Sequence, residues 1–321
     1  MRPFLTRGRT LERALALPGV GYLLAILLVT FAASGQGFAS LSNVLNIGTQ
    51  SAILLLLALP MTLIIMSEGL DLSMGAVLGL AGVVLAMLLS HGAGLPVALG
   101  AALIVGAAFG LANGTLVVTL GIPPFVATLG TLGVAQGVAL SATGGQSVVG
   151  IGDQLPSLYA STWVGLPFSV VVAGLAYVLF HVVLYRTRFG SYVFAIGGNR
   201  EALSLAGVRA DAYHMAIYVV GGLMAGFAAL LLTGRMNAGH PIASIGMEFD
   251  AVAAVVVGGT SFARGNGWLP GTLLGVLAVG VLKNGLNVLA VPSSLQVASI
   301  GLLVIVSLVI DSIRAQIRGR S

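Results

Sequence analysis

GGNREALSLAGV, residues 197–208, sets two glycines, an asparagine and an Arg–Glu pair between apolar segments, and Gly207 follows Glu201. Arg186, Arg188, Arg209 and Asp211 flank it. Elsewhere charge is scarce: 7% of the 321 residues are charged and 58% are hydrophobic. A soluble domain carries about 25% charge. This chain lacks the polar surface to cover a globule, so its outer solvent is lipid. The 46 glycines agree, since glycine is more frequent in membrane helices than in soluble ones. The stretch is then a polar island between membrane segments, and the side on which it lies orients the whole molecule.

A membrane helix needs about 20 mostly apolar residues. That window predicts about ten spans, at 15–34, 44–66, 72–90, 95–119, 123–143, 164–185, 212–233, 247–262, 268–289 and 294–312. Arg2, Arg7, Arg9 and Arg13 precede the first, and Arg314, Arg318 and Arg320 follow the last. Arg264 falls between the eighth and ninth, and Arg235 alone falls on the other side. With an even count the arginine-rich segments share one face, which the positive-inside rule makes cytoplasmic. The fold expected is an all-α polytopic membrane protein with both termini cytoplasmic. It forms a single transmembrane domain over 1–321, with a tail at 1–14, a loop at 186–211 and a tail at 313–321. The apolar run from Leu15 to Ala33 after basic residues also resembles a signal peptide. With further spans behind it, an uncleaved first helix is the simpler reading. The net charge of +5 sits in loops, where it sets topology rather than pointing to nucleic acid.

Within 197–208, Gly198 or Asn199 suits a helix N-cap. Glu201 falls in the first turn, where a carboxylate meets the positive end of the helix dipole. Gly207 suits the C-terminal cap, where a left-handed conformation is wanted. A helix over roughly Arg200 to Ala206 would be about 10 Å long and marginal alone in water. Either it packs on its own protein or it docks on another.

Two halves of the chain echo each other. MSEGLDLS (66–73) and GMEFDAV (246–252) each follow a long apolar segment. FGLANGTLVVTLGIPPF (109–125) and VLKNGLNVLAVPSSL (281–295) each carry Asn-Gly, an apolar stretch and then proline. Spans 2–5 and 7–10 are expected to be inverted repeats, a feature of transporters whose pathway lies at the repeat interface. Ionisable groups inside a membrane are functional candidates by default, here Glu68, Asp71, Glu248, Asp250 and Lys283. Asp71 and Ser73 also stand where a helix begins, so capping competes with a proton-relay role. Asn113, Lys283 and Asn284 belong to the echoed pair. Pro123 and Pro124 suit a first helical turn, after which Phe125 and Thr128 are expected on one face lining the pathway.

Some chemistry is absent. Lys283 is the single lysine and follows Leu282, so no phosphate-cradling loop ending in Gly-Lys exists. With no cysteine, thiolate metal sites and disulfides are excluded. The four histidines have no metal-ligand spacing, and no nucleophile elbow is present. Neither a cofactor nor a catalytic residue is expected.

EGLDLSMGAV (68–77), GIPPFVATLGT (121–131), RTRFGSYVFAIGGNREALSLAGV (186–208), DAVAAVVVGGTSF (250–262) and GTLLGVLAVGVLKNGLNVL (271–289) together resemble the ribose-type branch of ABC importer membrane subunits. The resemblance runs in order through most of the chain. Glu68 departs from it, since the family usually has Gly there. The resemblance implies that Gly197, Gly198, Asn199, Arg200, Glu201, Ala202 and Gly207 form a coupling helix docking on a separate cytoplasmic ATPase, and Glu201 to Gly207 matches the EAA…G signature. It further implies a sugar-binding protein outside, a second copy or a paralogous permease beside this one, alternating access, and the bacterial inner membrane. The competing reading is a proton-coupled secondary carrier, for which the acids at 68, 71, 248 and 250 would matter most.

Overall fold

The computed structural model describes residues 19–34, 37–261 and 265–318, with the side chains at 307, 308 and 310–318 excepted. The arginines at 2, 7, 9, 13, 264 and 320 therefore lie outside the described residues, as do the side chains of Arg314 and Arg318.

Twelve α-helices are described: α1 Gly19–Ala33, α2 Leu41–Met66, α3 Met74–Ser90, α4 Leu95–Gly114, α5 Pro124–Thr143, α6 Gln154–Ala160, α7 Phe168–Arg186, α8 Arg188–Leu205, α9 Ala210–Met236, α10 Met247–Val257, α11 Leu269–Val288 and α12 Ser293–Arg318. A π-helical turn, Thr115–Thr119, prolongs α4. The only sheet described is a two-residue hairpin, Thr162–Trp163 paired antiparallel with Leu166–Pro167. Val164 and Gly165 both have positive φ there, as a tight hairpin turn requires.

The expectation of ten spans is corrected. Among the described residues six helices are long and apolar enough to cross a membrane: Leu41–Met66, Leu95–Thr119, Pro124–Thr143, Phe168–Arg186, Ala210–Met236 and Leu269–Val288. Gly19–Ala33 and Met74–Ser90 are apolar but shorter, as is Ser293–Val306, the part of α12 whose side chains are all described. A hydrocarbon core is about 30 Å thick. The 17 residues of α3 reach about 25 Å and the 11 of α10 about 16 Å. Hydropathy counts apolar residues whether or not one helix carries them, so the eighth expected span, 247–262, ran on past the end of α10 at Val257. The four-span repeats 2–5 and 7–10 do not stand with that count. The last helix also runs to Arg318, past the expected boundary at 312.

The core is built on α2. From Ser51 to Met66 every residue of this helix is buried, so no face is left for lipid. The helices α9, α11, α7 and α10 surround it. Against α4, α9 packs backbone to backbone: a side chain at Gly106 or Gly222 would run into the carbonyl of the other, and one at Gly226 into that of Ala102. The four-residue spacing of these small positions is the pattern by which membrane helices approach closely. On the outer face of α4, Val97, Ile104 and Leu111 are exposed. Their seven-residue spacing makes one apolar stripe, as expected of a surface turned to lipid or to another subunit.

Candidate functional sites

The stretch 197–208 divides at Asn199. There the backbone leaves helical geometry (φ −164, ψ 93), so α8 is two helices with a kink between them. The asparagine Oδ1 accepts from the Ala202 N–H at 2.8 Å, an N-cap on the third residue in. At the other end the Gly207 N–H donates to the Ser204 carbonyl (3.0 Å) and the Val208 N–H to that of Leu203 (3.3 Å). With Gly207 at φ 82 this is a Schellman closure. The segment Arg200–Leu205 is thus closed at both ends by its own residues. Arg200 pairs with Asp211 at 2.7 Å. Glu201 and Ala202 are exposed, and Leu205 is 83% exposed, an apolar side chain on a charged surface.

Gly197 and Gly198 differ. Gly197 is buried, and any side chain on it would strike the Met66 carbonyl at the end of α2 and the backbone of Gly265. Gly198 faces open space. Gly197 therefore fixes the capped segment to the C-terminal end of the central helix.

That end holds the first acidic break. Glu68 is the residue past the C-cap of α2: its N–H donates to the Ile65 carbonyl and the Gly69 N–H to that of Ile64. Its φ is +60, the left-handed conformation that a residue with a Cβ resists and where Gly normally sits. Its side chain is exposed, and the side-chain hydrogen bonds described for Asp71 and Asn113 go to other residues. Asp71 and Ser73 are buried. The Asp71 carboxylate accepts from the Ser73 N–H (2.9 Å) and hydroxyl (2.6 Å), and from the Asn113 amide at 3.2 Å on each oxygen. The Asn113 amide also donates to the Ser73 hydroxyl, and the Thr131 hydroxyl donates to the Asn113 carbonyl at 2.6 Å. Asp71 thus meets a backbone N–H where α3 starts, and Thr131, missed in the sequence, joins α5 to it. Its signal was its place one turn after Thr128 in a segment begun by proline.

The second break is built otherwise. Gly246 (φ 90) opens α10, and its N–H donates to both Glu248 oxygens at 3.1 Å. Glu248 is buried against the first turn of α3: a side chain at Gly75 would strike its carboxylate. Asp250 is not a helix cap; its carboxylate pairs with the Lys283 ammonium of α11. Their side chains are 13% and 34% exposed. Asn284 turns away and exchanges two hydrogen bonds, 2.9 and 3.0 Å, with Asn43 of α2. Asp250 and Lys283 line a cavity of about 360 Å³ with Gln50, Ser51 and Arg235. Sequence reasoning missed these last three. Arg235 carried one signal, as the arginine set apart from the others.

Pro123 is the N-cap of α5 and Pro124 its first residue. Phe125 is 54% exposed and Thr128 is fully buried, its hydroxyl bonded to the Pro124 carbonyl. The structure does not place the two on a shared open face. No group of three or more His, Cys, Asp or Glu able to hold a metal occurs among the described residues.

The family model described as "Branched-chain amino acid transport system / permease component" matches residues 43–308. The ribose import permease protein RbsC of Bacillus subtilis is 36% identical over 296 residues, 92% of this chain and 91% of the relative. The D-allose transport system permease protein AlsC of Escherichia coli is 32% identical over 296 residues, 91% and 90% of the two chains. The galactose/methyl galactoside import permease protein MglC of Haemophilus influenzae is 33% identical over 312 residues, 91% and 93%. No solved structure gives a significant match.

Proposed function

The chain belongs to the permease family whose model spans residues 43–308, and from that premise we propose that it is the membrane-spanning subunit of an ABC importer for a monosaccharide or small polyol. It is a multi-pass protein of the bacterial inner membrane. It carries no phosphate-cradling loop, so a partner ATPase supplies the hydrolysis and a binding protein outside delivers the sugar. A second copy, or a paralogous permease, completes the pathway.

The observation that carries the coupling part of this reading is the segment closed by Asn199 and Gly207, with Leu205 exposed on it. A helix of this length is marginal in water without help. Its caps hold it ready, and Leu205 offers an apolar contact to a cytoplasmic partner. Through Gly197 the segment bears on the end of α2, beside the break at 67–73. Movement of the ATPase would reach the bundle there, and the loop 186–211 faces the cytoplasm.

The test is uptake by the permease reconstituted with its ATPase and binding protein. Glu201→Arg places a cation at the positive end of the segment. Gly207→Val puts a β-branched residue at φ 82, where none is at ease. Each is expected to abolish most ATP-dependent uptake while membrane insertion survives. Normal uptake with normal ATPase association in both variants would end the coupling assignment.

A further inference from the structure

The cavity beside Asp250 is formed where α2, α9, α10 and α11 meet. Its volume, about 360 Å³, is at the small end of the range for ligand sites, about 300–1,000 Å³. One part of its wall is polar: Gln50, Ser51, Arg235, Asp250 and Lys283. The rest is aliphatic, with Ile53 and Leu54 of α2 and Met247 of α10. It lies in the half of α2 away from Met66. The distance from Ser51 to Met66 along the helix is about 22 Å, so the cavity and the coupling segment adjoin different parts of one helix, with Pro60 between them.

The polar groups are unusual in what they leave unsatisfied. An ion pair in an apolar bundle gives little net stability, because desolvation offsets the attraction. Asp250 and Lys283 are nevertheless here, at the edge of open volume. Arg235 makes no ion pair among the described residues. Gln50 gives one amide hydrogen to Asn46, which leaves its carbonyl oxygen as an acceptor. The Ser51 hydroxyl is buried and has no hydrogen-bond partner among the described residues. Buried polar groups in native proteins are nearly all bonded, so at Ser51 the wall lacks a partner that a ligand would bring, while Gln50 and Arg235 stand at its open side with donors and acceptors free for one.

We propose that this cavity is a subsite for one polyhydroxylated molecule of monosaccharide size, held at its hydroxyls by Gln50, Arg235 and the Asp250–Lys283 pair. A hydroxyl both donates and accepts. It can donate to Asp250 or Gln50 and accept from Lys283 or Arg235, while the C–H faces of the ring lie on the aliphatic wall. No aromatic side chain lines the cavity, so the ring is not stacked and the hold is loose. A loose hold suits passage, which needs a site weak enough to leave. The inference rests on the importer reading and locates part of the route inside a single subunit.

The chain has no cysteine, which allows a direct test. Ala243 lines the cavity and is exposed, and Val164 is 98% exposed on the distant hairpin. The Ala243→Cys and Val164→Cys permeases, assembled with ATPase and binding protein in proteoliposomes, are labelled with a water-soluble methanethiosulfonate. Labelling is followed alone and with D-ribose, D-allose, D-galactose or cyclohexanol, and uptake of the three sugars is measured in parallel. The expected result is that a sugar the complex transports slows labelling several-fold at 243, leaves 164 unchanged, and is not imitated by cyclohexanol. Uptake of a sugar with no protection at 243 would overturn the subsite and leave the importer reading standing. Protection by cyclohexanol equal to that by sugar would overturn the hydroxyl recognition. Neither uptake nor protection with any of the three sugars would count against both.

Discussion

Asp71 and Asp250 occupy similar stretches of sequence, each shortly after a long apolar helix and each facing a helix that carries Asn-Gly. Their partners differ. Asp71 is answered by neutral donors, Ser73 and Asn113, and all three are buried. Asp250 is answered by a cation at the edge of a cavity. A carboxylate whose lone pairs are filled by its own chain has no capacity left for cargo. It ties α3, α4 and α5 together and satisfies a helix start that lipid cannot. A carboxylate paired across open volume can exchange part of its hydrogen bonding with a ligand. The first break is therefore a clasp near residues 197–208, and the second borders the cavity that we propose holds a ligand.

The largest effect that separates the two is expected from Asn113→Leu. It removes donors from Asp71 and Ser73 and strands the Thr131 hydroxyl. Hydrogen bonds to charged groups contribute about 1.5–3 kcal/mol each, so the loss should be about 3 kcal/mol, read as a lower thermal transition of the purified permease. A loss below about 1 kcal/mol would mean that Asp71 is not held as described.

Lys283→Met should come next. Leaving one charge of a buried pair alone is worth about 3–5 kcal/mol. The low end is expected because Lys283 is 34% exposed. Adding Asp250→Leu in the same chain should recover most of the stability, as replacing both members of an ion pair usually does. No recovery would show that the pair is not the source of the loss.

Amide substitutions sharpen the contrast further. In Asp71→Asn the side-chain oxygen can still accept from the Ser73 N–H, so measurable uptake should remain. In Asp250→Asn an uncompensated Lys283 faces the cavity, and uptake should fall further. Alanine should be worse than the amide at position 71. Equal losses at 71 and 250 would erase the distinction between clasp and wall.

The smallest effect concerns Glu68. Its left-handed backbone is disfavoured by about 1–2 kcal/mol for a residue with a Cβ. Its exposed carboxylate has no role in either cluster, so Glu68→Gly should raise stability by about 1 kcal/mol with uptake retained. A fall in stability would show that the carboxylate makes a contact worth more than the strain.

What was legible in the sequence follows the range of the forces involved. Caps are local chemistry, so Asn199 and Gly207 could be read three to eight residues at a time, and the structure closes that segment at both. Charge scarcity and the arginine-rich loop pointed to a membrane protein. The departure at Glu68 was visible, but the reason Gly suits that position, a left-handed residue past a helix C-cap, needed the backbone. The span count failed because an apolar residue in a break scores as highly as one in a helix, and α10 is only 11 residues long. Gln50, Ser51 and Arg235 had no common local pattern. They become one wall only where α2 and α9 converge, a fact of packing between residues nearly two hundred apart in the chain.

In the function proposed above, ATP hydrolysed by a separate subunit drives import through the capped segment bearing on α2. The most direct measurement is sugar uptake by the reconstituted complex, with ATP inside or with an imposed pH gradient alone, in the wild-type chain and in Gly207→Val. Uptake is expected to require ATP, to ignore the gradient and to collapse in the variant. Uptake driven by the gradient without ATP, and undiminished by Gly207→Val, would contradict it.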